Sequence, residues 1–207
     1  MSILKLRSIV LLSAFFLFSI AVVACSSTED SQEPDSPSGA SYKTCQGFIT
    51  ADDVEQISGV TGLIDRVQVI EVDSITGLTE NGAVANCLID VFRTVDGTDT
   101  PAPGDSLSLS IVQFDTSEQV LSLYNSLLAT TILTAEQLGD QADIEQGVIG
   151  SDSYYMDVKV GGIGAIVVLV SNNTFVSMSA VSDSEDNALL DVHELITAAQ
   201  QVQSRLP

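Results

Sequence analysis

Imidazole-based proton transfer in this chain would have to run through His193, the single histidine among 207 residues. A serine–histidine–carboxylate relay needs an imidazole to take the hydroxyl proton, and the chain holds no second one. No Gly-x-Ser-x-Gly elbow accompanies it. It stands between Val192 and Glu194, one step off the apolar stripe of a predicted helix, where a histidine serves packing or surface. Gly161-Gly162-Ile163-Gly164 has the glycine content of a phosphate cradle. It falls between two predicted strands, without a helix N-terminus or a following Lys-Ser/Thr, so a turn is the better reading. Asp96-Gly97-Thr98-Asp99, with Asp105 nearby, is the best cation candidate. It lacks the Asp-x-Asp-x-Asp-Gly spacing and the distal bidentate Glu of a calcium loop, and reads as a solvated hairpin. Of Tyr154-Tyr155, one ring must face the core by strand alternation. Asp52-Asp53 sit at a helix start, where the macrodipole accounts for paired carboxylates. These residues predict no catalytic set, no metal site and no cofactor.

Charge narrows the partners. Seven basic residues stand against 28 acidic ones, a formal net charge of −21. Such a surface repels phosphate backbones, which excludes nucleic acid as a partner. The first 24 residues have the parts of a secretory leader: Lys5 and Arg7, an apolar run from Ile9 to Val23 broken by Ser13 and Ser19, then small Ala24. A retained transmembrane helix is one rival, but the run is shorter than the ~20 residues a span needs and no basic stop signal follows. A plain cleaved signal with a chance cysteine is the other. Val22-Val23-Ala24-Cys25 resembles the lipobox of a lipoprotein signal peptide. That resemblance implies that Cys25 carries the acyl chains, palmitate among them, and becomes the new N-terminus. Each buried methylene adds roughly 0.8 kcal/mol, so two or more chains make membrane residence stable. Loss of Lys5 and Arg7 leaves five basic residues against 28 acidic ones, net −23.

With Cys25 assigned to lipid, Cys45 and Cys87 remain, an even pair in an oxidising compartment. One disulfide is expected. Closing a loop of about 40 residues stabilises by roughly 3–4 kcal/mol on the chain-entropy account. A metal site on the two thiols is the rival, and it would need further ligands.

The chain then divides into a leader at 1–24, the lipidated cysteine and an acidic tether at 25–41, and one domain at 42–207. Ser26 to Ser41 contains no large apolar residue and is too polar to fold alone. Within the domain, Thr50 and Asp53 cap a short helix closed by Gly59. Val67–Val72 and Asn86–Arg93 read as strands, the second with Cys87, Ile89 and Val91 on one face, pointing Cys87 inward towards Cys45. Leu107–Ile111 alternates cleanly and continues to Phe114. Asp115-x-x-Glu118 reads as a capping box opening a second helix with Val120, Leu121, Tyr124, Leu127 and Leu128 on one face. A weakly patterned stretch follows to Gly150. Three more strands are predicted: Tyr154 to Val160, Ala165 to Val170 and Phe175 to Val181. Ser182-x-x-Glu185 opens the last helix, with Leu189, Val192, Ile196, Ala199 and Val202 at helical spacing. The predicted class is α+β, a mainly antiparallel sheet packed with helices in the order α-βββ-α-βββ-α, pinned by one disulfide.

Cys45 before a short helix (Thr50-Ala51-Asp52-Asp53-Val54…Gly59), Asn86-Cys87-Leu88 in a strand, and Leu138-Gly139-Asp140 before the later strands form a layout covering most of the domain. It resembles the actinobacterial lipoproteins of unknown function and the related extracellular sensor domain of PknH-type kinases. The resemblance implies a disulfide-pinned sheet with helices, a groove for an unidentified ligand and no established catalysis. The chain departs from it in having fewer cysteines, and Gln141-Ala142-Asp143 where Tyr or Ala-Tyr follows Gly-Asp. The expectation is a non-catalytic envelope lipoprotein, held on the extracytoplasmic side by its lipid anchor and binding a small molecule or an envelope protein. A carrier or chaperone of an apolar envelope component is the alternative. An unrecognised enzyme ranks third.

Overall fold

The computed structural model describes residues 39–75, 77–95, 101–159, 164–181 and 189–207, with backbone alone for 101–105. The leader, Cys25, nearly all of the tether, Asp96–Asp99, Gly161–Ile163 and Ser182–Glu185 lie outside the described residues. Among the described residues, three α-helices and seven strands follow in the order α1 (Ala51–Ser58), β1 (Leu63–Val69), β2 (Ala83–Thr94), β3 (Pro101–Phe114), α2 (Ser117–Leu138), β4 (Ala142–Gln146), β5 (Ser153–Val158), β6 (Gly164–Ser171), β7 (Thr174–Val181) and α3 (Val192–Arg205). The strands form one sheet in the order β1-β2-β3-β7-β6-β5-β4, antiparallel at every junction. The α+β class and the pinned antiparallel sheet are as the sequence predicts, with one strand more than expected. That strand is β4, in the weakly patterned stretch. It is an edge strand with Asp143, Glu145 and Gln146 exposed, so only Ala142 and Ile144 carry an inward signal.

Alternation divides the sheet's side chains between two cores. On one face, Cys87, Ile89, Val91, Leu107, Leu109, Ile111, Val167, Leu169 and Met178 pack against α1, α3 and the segment Tyr42–Ile49. On the other, Val112, Phe114, Val168, Phe175 and Tyr154 lie beneath Val120 and Tyr124 of α2. β6 is a continuous apolar run because it is central and both of its faces are covered.

The helix starts show which local signals decide. Thr50 caps α1 in a capping box with Asp53, and Gly59 ends the helix in the left-handed region at φ 71°, as expected. For α2 the box is one residue later than predicted. Thr116 and Gln119 exchange hydrogen bonds at 3.4 and 3.0 Å. Two boxes overlap in Asp115-Thr116-Ser117-Glu118-Gln119, and the first is forestalled because Asp115 still belongs to the strand end, its N–H donating to Gly82. For α3 the cap is Asp191 with Glu194, both bonds at 2.9 Å. Leu189 therefore precedes the helix instead of riding on it. Leu190 and Leu195, on either side of that cap, are buried in one cluster, a hydrophobic staple. β1 begins at Leu63, four residues before the predicted start, and Val72 falls in a 3-10 turn. Asp65 and Arg66 are exposed edge residues, and their polarity hides the strand's first half.

Candidate functional site

The described part of the molecule gathers its sequence-predicted features into separate places. Cys45 and Cys87 are joined, Cα atoms 5.3 Å apart across a separation of 42 residues, and both are fully buried. The bond fastens the loop before α1 to β2, the strand next to the β1 edge. Beside it the Tyr42 ring meets Phe48 at 5.3 Å, and the Tyr42 hydroxyl shares a 2.6 Å hydrogen bond with Thr174 on β7. Tyr154 points into the α2 core, where its hydroxyl lies 3.2 Å from Thr131, and Tyr155 faces the opposite side. His193 is exposed in the first turn of α3. Among the described residues no hydroxyl or carboxylate hydrogen-bonds its ring.

An ionic centre that no sequence motif marks joins the first helix to the last. Asp53 of α1 takes a forked pair of bonds from Arg205 of α3, at 2.6 and 2.8 Å, and a third from Gln201 at 2.7 Å. Thr50 adds its backbone N–H and hydroxyl, each at 2.9 Å. Arg205 donates also to the Phe48 carbonyl. The guanidinium holds the Asp53 carboxyl down at about 2, against the opposing effect of burial, with the Thr50 hydrogen bonds assisting. Arg205 is raised for the same reason. This is a clamp between the first and last helices. One signal could have pointed to it: with five cations in 25–207, an arginine closing the final helix has a carboxylate partner to find.

The surface with binding geometry is the α2 face of the sheet, beyond the helix itself. There β3 presents Ser106, Ser108 and Ser110, the alternates of its buried Leu107, Leu109 and Ile111. Register sets Ser108 beside Ser179 and Ser110 beside Ser177 of β7. On the other flank Asp90 of β2 stands beside Ser108, and Arg66 of β1 beside Asp90. The Ser108 hydroxyl donates to Asp90 at 2.7 Å, and Arg66 reaches the other carboxylate oxygen at 3.0 Å while lying over the Phe92 ring at 5.3 Å. One row of the sheet thus runs Arg66, Asp90, Ser108, Ser179, then apolar Ile166 and Met156 towards α2. Short hydroxyls form the floor, with an ion pair on one side and a long helix on the other.

Two buried polar atoms on this face have no hydrogen-bond partner among the described residues: Asn86 Oδ1, in a residue 5% exposed, and Tyr124 Oη, in a residue 3% exposed. Burial raises the Tyr124 phenol above its ordinary range, as does the neighbouring charge of Asp152. Chemically the face offers hydrogen-bond donors and acceptors, not an activated nucleophile. Both oxygens of Asp90 are engaged, and His193 sits on the helix packed against the opposite face of the sheet, so the imidazole cannot reach these serines. The serine row is legible in the sequence as the polar half of Leu107-Ser108-Leu109-Ser110-Ile111. Its partners Asp90 and Arg66 are visible only once the register is known.

No family model matches the chain, and no curated protein does. Among solved structures, it is similar to the crystal structure of the extracellular domain of PknH from Mycobacterium tuberculosis, at 11% sequence identity with a TM-score of 0.49, covering 76% of this chain and 91% of that chain.

Proposed function

We infer that the protein is an extracytoplasmic lipoprotein whose domain binds a small molecule or an envelope protein without transforming it. The observation that carries the binding reading is the hydroxyl-floored half of the sheet face, flanked by α2 and by the Arg66–Asp90 pair. Its charges are already matched, with Asp90 engaged by both Arg66 and Ser108, and no imidazole reaches its serines, so it suits recognition by hydrogen bonding. Location is supported by the fully buried Cys45–Cys87 disulfide, a bond that persists outside the reducing cytoplasm. The Val22-Val23-Ala24-Cys25 motif supports the anchor, with Cys25 as the acylated residue.

The test is a thermal-shift screen of the full chain in detergent against envelope saccharides, short peptides and divalent cations. Any hit is then repeated with Ser108→Leu and Ser179→Leu, which fill the floor with side chains that cannot hydrogen-bond. Stabilisation that these variants lose supports the reading. Turnover of a probe, or binding that survives both substitutions, contradicts it.

A further inference from the structure

The two edges of the sheet differ in how they meet another strand. β4 carries Asp143 and Glu145. Asp143 is paired with Lys159, a charged side chain at this edge, and antiparallel pairing of two copies of β4 about Glu145 sets that acid against itself. Like charges directly opposite are destabilising, so this edge is protected from its own kind.

β1 leaves one register free of such conflict. The bond from Ile70 N–H to the Asn86 carbonyl, with the β1–β2 register, fixes the alternation. Residues 64, 66, 68 and 70 turn their backbone groups to β2, and residues 63, 65, 67 and 69 turn theirs outward. Leu63 N–H is taken by the Glu55 carboxylate at 2.8 Å. The outward N–H and C=O groups of Asp65, Val67 and Val69 make no hydrogen bond among the described residues. Ile64 and Val69, 39% and 55% exposed, lie on the same strand.

We propose that β1 is a homodimer edge, on which a second copy pairs antiparallel about a two-fold axis through Val67. In that register Asp65 faces Val69, Val67 faces Val67, Arg66 faces Gln68 and Ile64 faces Ile70. Neighbouring centres are disfavoured: one on Arg66 sets two guanidinium groups together, one on Asp65 two carboxylates, one on Gln68 sets Asp65 against Glu71, and one on Ile64 would call on the Leu63 N–H that Glu55 already holds. The Val67 register also satisfies the three outward-turned residues with one another, while Leu63 keeps its cap from Glu55. It is an isologous contact that extends the sheet across both copies. The net charge of −21 opposes approach, so association strengthens as salt screens it.

Sedimentation velocity of the full chain in mild detergent, over a concentration series at low and raised salt, tests this together with amide hydrogen exchange. A dimer is expected whose population grows with concentration and salt, with the amides of Asp65, Val67 and Val69 slowing as it forms. Val69→Asp sets a carboxylate against the partner's Asp65 twice per dimer and weakens association about tenfold. Val69→Lys sets an ammonium there instead, and association holds or tightens. Position 69 is exposed enough that neither change threatens the fold. A chain monomeric throughout, equal weakening by both variants, or a dimer that leaves those three amides unprotected would each overturn the proposal.

Discussion

Replacing Asp53 by Asn removes one charge from the clamp between α1 and α3 while keeping its shape. The amide can still accept from Thr50, but it no longer neutralises Arg205, which stays held at the Phe48 carbonyl. The folded protein holds this carboxyl at about 2 against an ordinary 3.8. At about 1.4 kcal/mol per pH unit, that depression corresponds to roughly 2.5 kcal/mol. The two side chains are 13% and 25% exposed, so solvent screens part of the attraction. We therefore expect a loss of about 1–2 kcal/mol, and a fall in Tm of about 3–6 °C for a domain of this size. The sign with pH follows from the depressed value. The wild-type advantage is complete above 3.8 and is lost as pH falls from there through about 2. Urea unfolding of both proteins with the disulfide intact, at pH 7 and in steps down towards pH 2, measures the gap directly. A gap that is absent at pH 7, or that stays constant as the solution is acidified, would refute the clamp as the source of this stability.

Three further outcomes follow from the packing. Replacing Cys45 and Cys87 together by Ala should cost about 3–4 kcal/mol in equilibrium denaturation, since the closed loop spans 42 residues; an unchanged midpoint would show the bond to be energetically idle. Thr116→Ala should cost about 1 kcal/mol through the lost α2 cap, while Asp115→Ala should change little; the reverse ranking would place the cap at the earlier box. Gly164→Ala should destabilise by more than about 1 kcal/mol, because its φ is +68° and a Cβ would run into the Ala180 carbonyl oxygen; unaltered thermal unfolding would contradict that geometry.

Where the sequence could be read, the signal was local and uncontested. Thr50, Asp53 and Gly59 mark both ends of α1 because each acts on backbone within a few residues of itself. Leu107, Leu109 and Ile111 reveal β3 because one side of it is fully buried. Reading failed where burial is one-sided or where two local signals compete. β1 and β4 are edges whose exposed Asp65, Arg66, Asp143 and Glu145 break the apolar period. In Asp115-Thr116-Ser117-Glu118-Gln119 two boxes overlap, and a strand hydrogen bond from Asp115 decides between them. The site was the least legible, since it depends on partners distant in sequence. Asp53 and Arg205 are 152 residues apart, and Asp90 meets Ser108 only through the β2–β3 register. The cysteine pair was the exception, because Cys87 falls on the inward side of a readable strand.

The extracytoplasmic lipoprotein reading is tested most directly by intact-mass and peptide analysis of the protein isolated from its own membranes. It predicts a chain beginning at Cys25, with acyl chains on that residue and a peptide pair joined through Cys45 and Cys87. A chain that starts at Met1, or a Cys25 thiol without lipid, would contradict it.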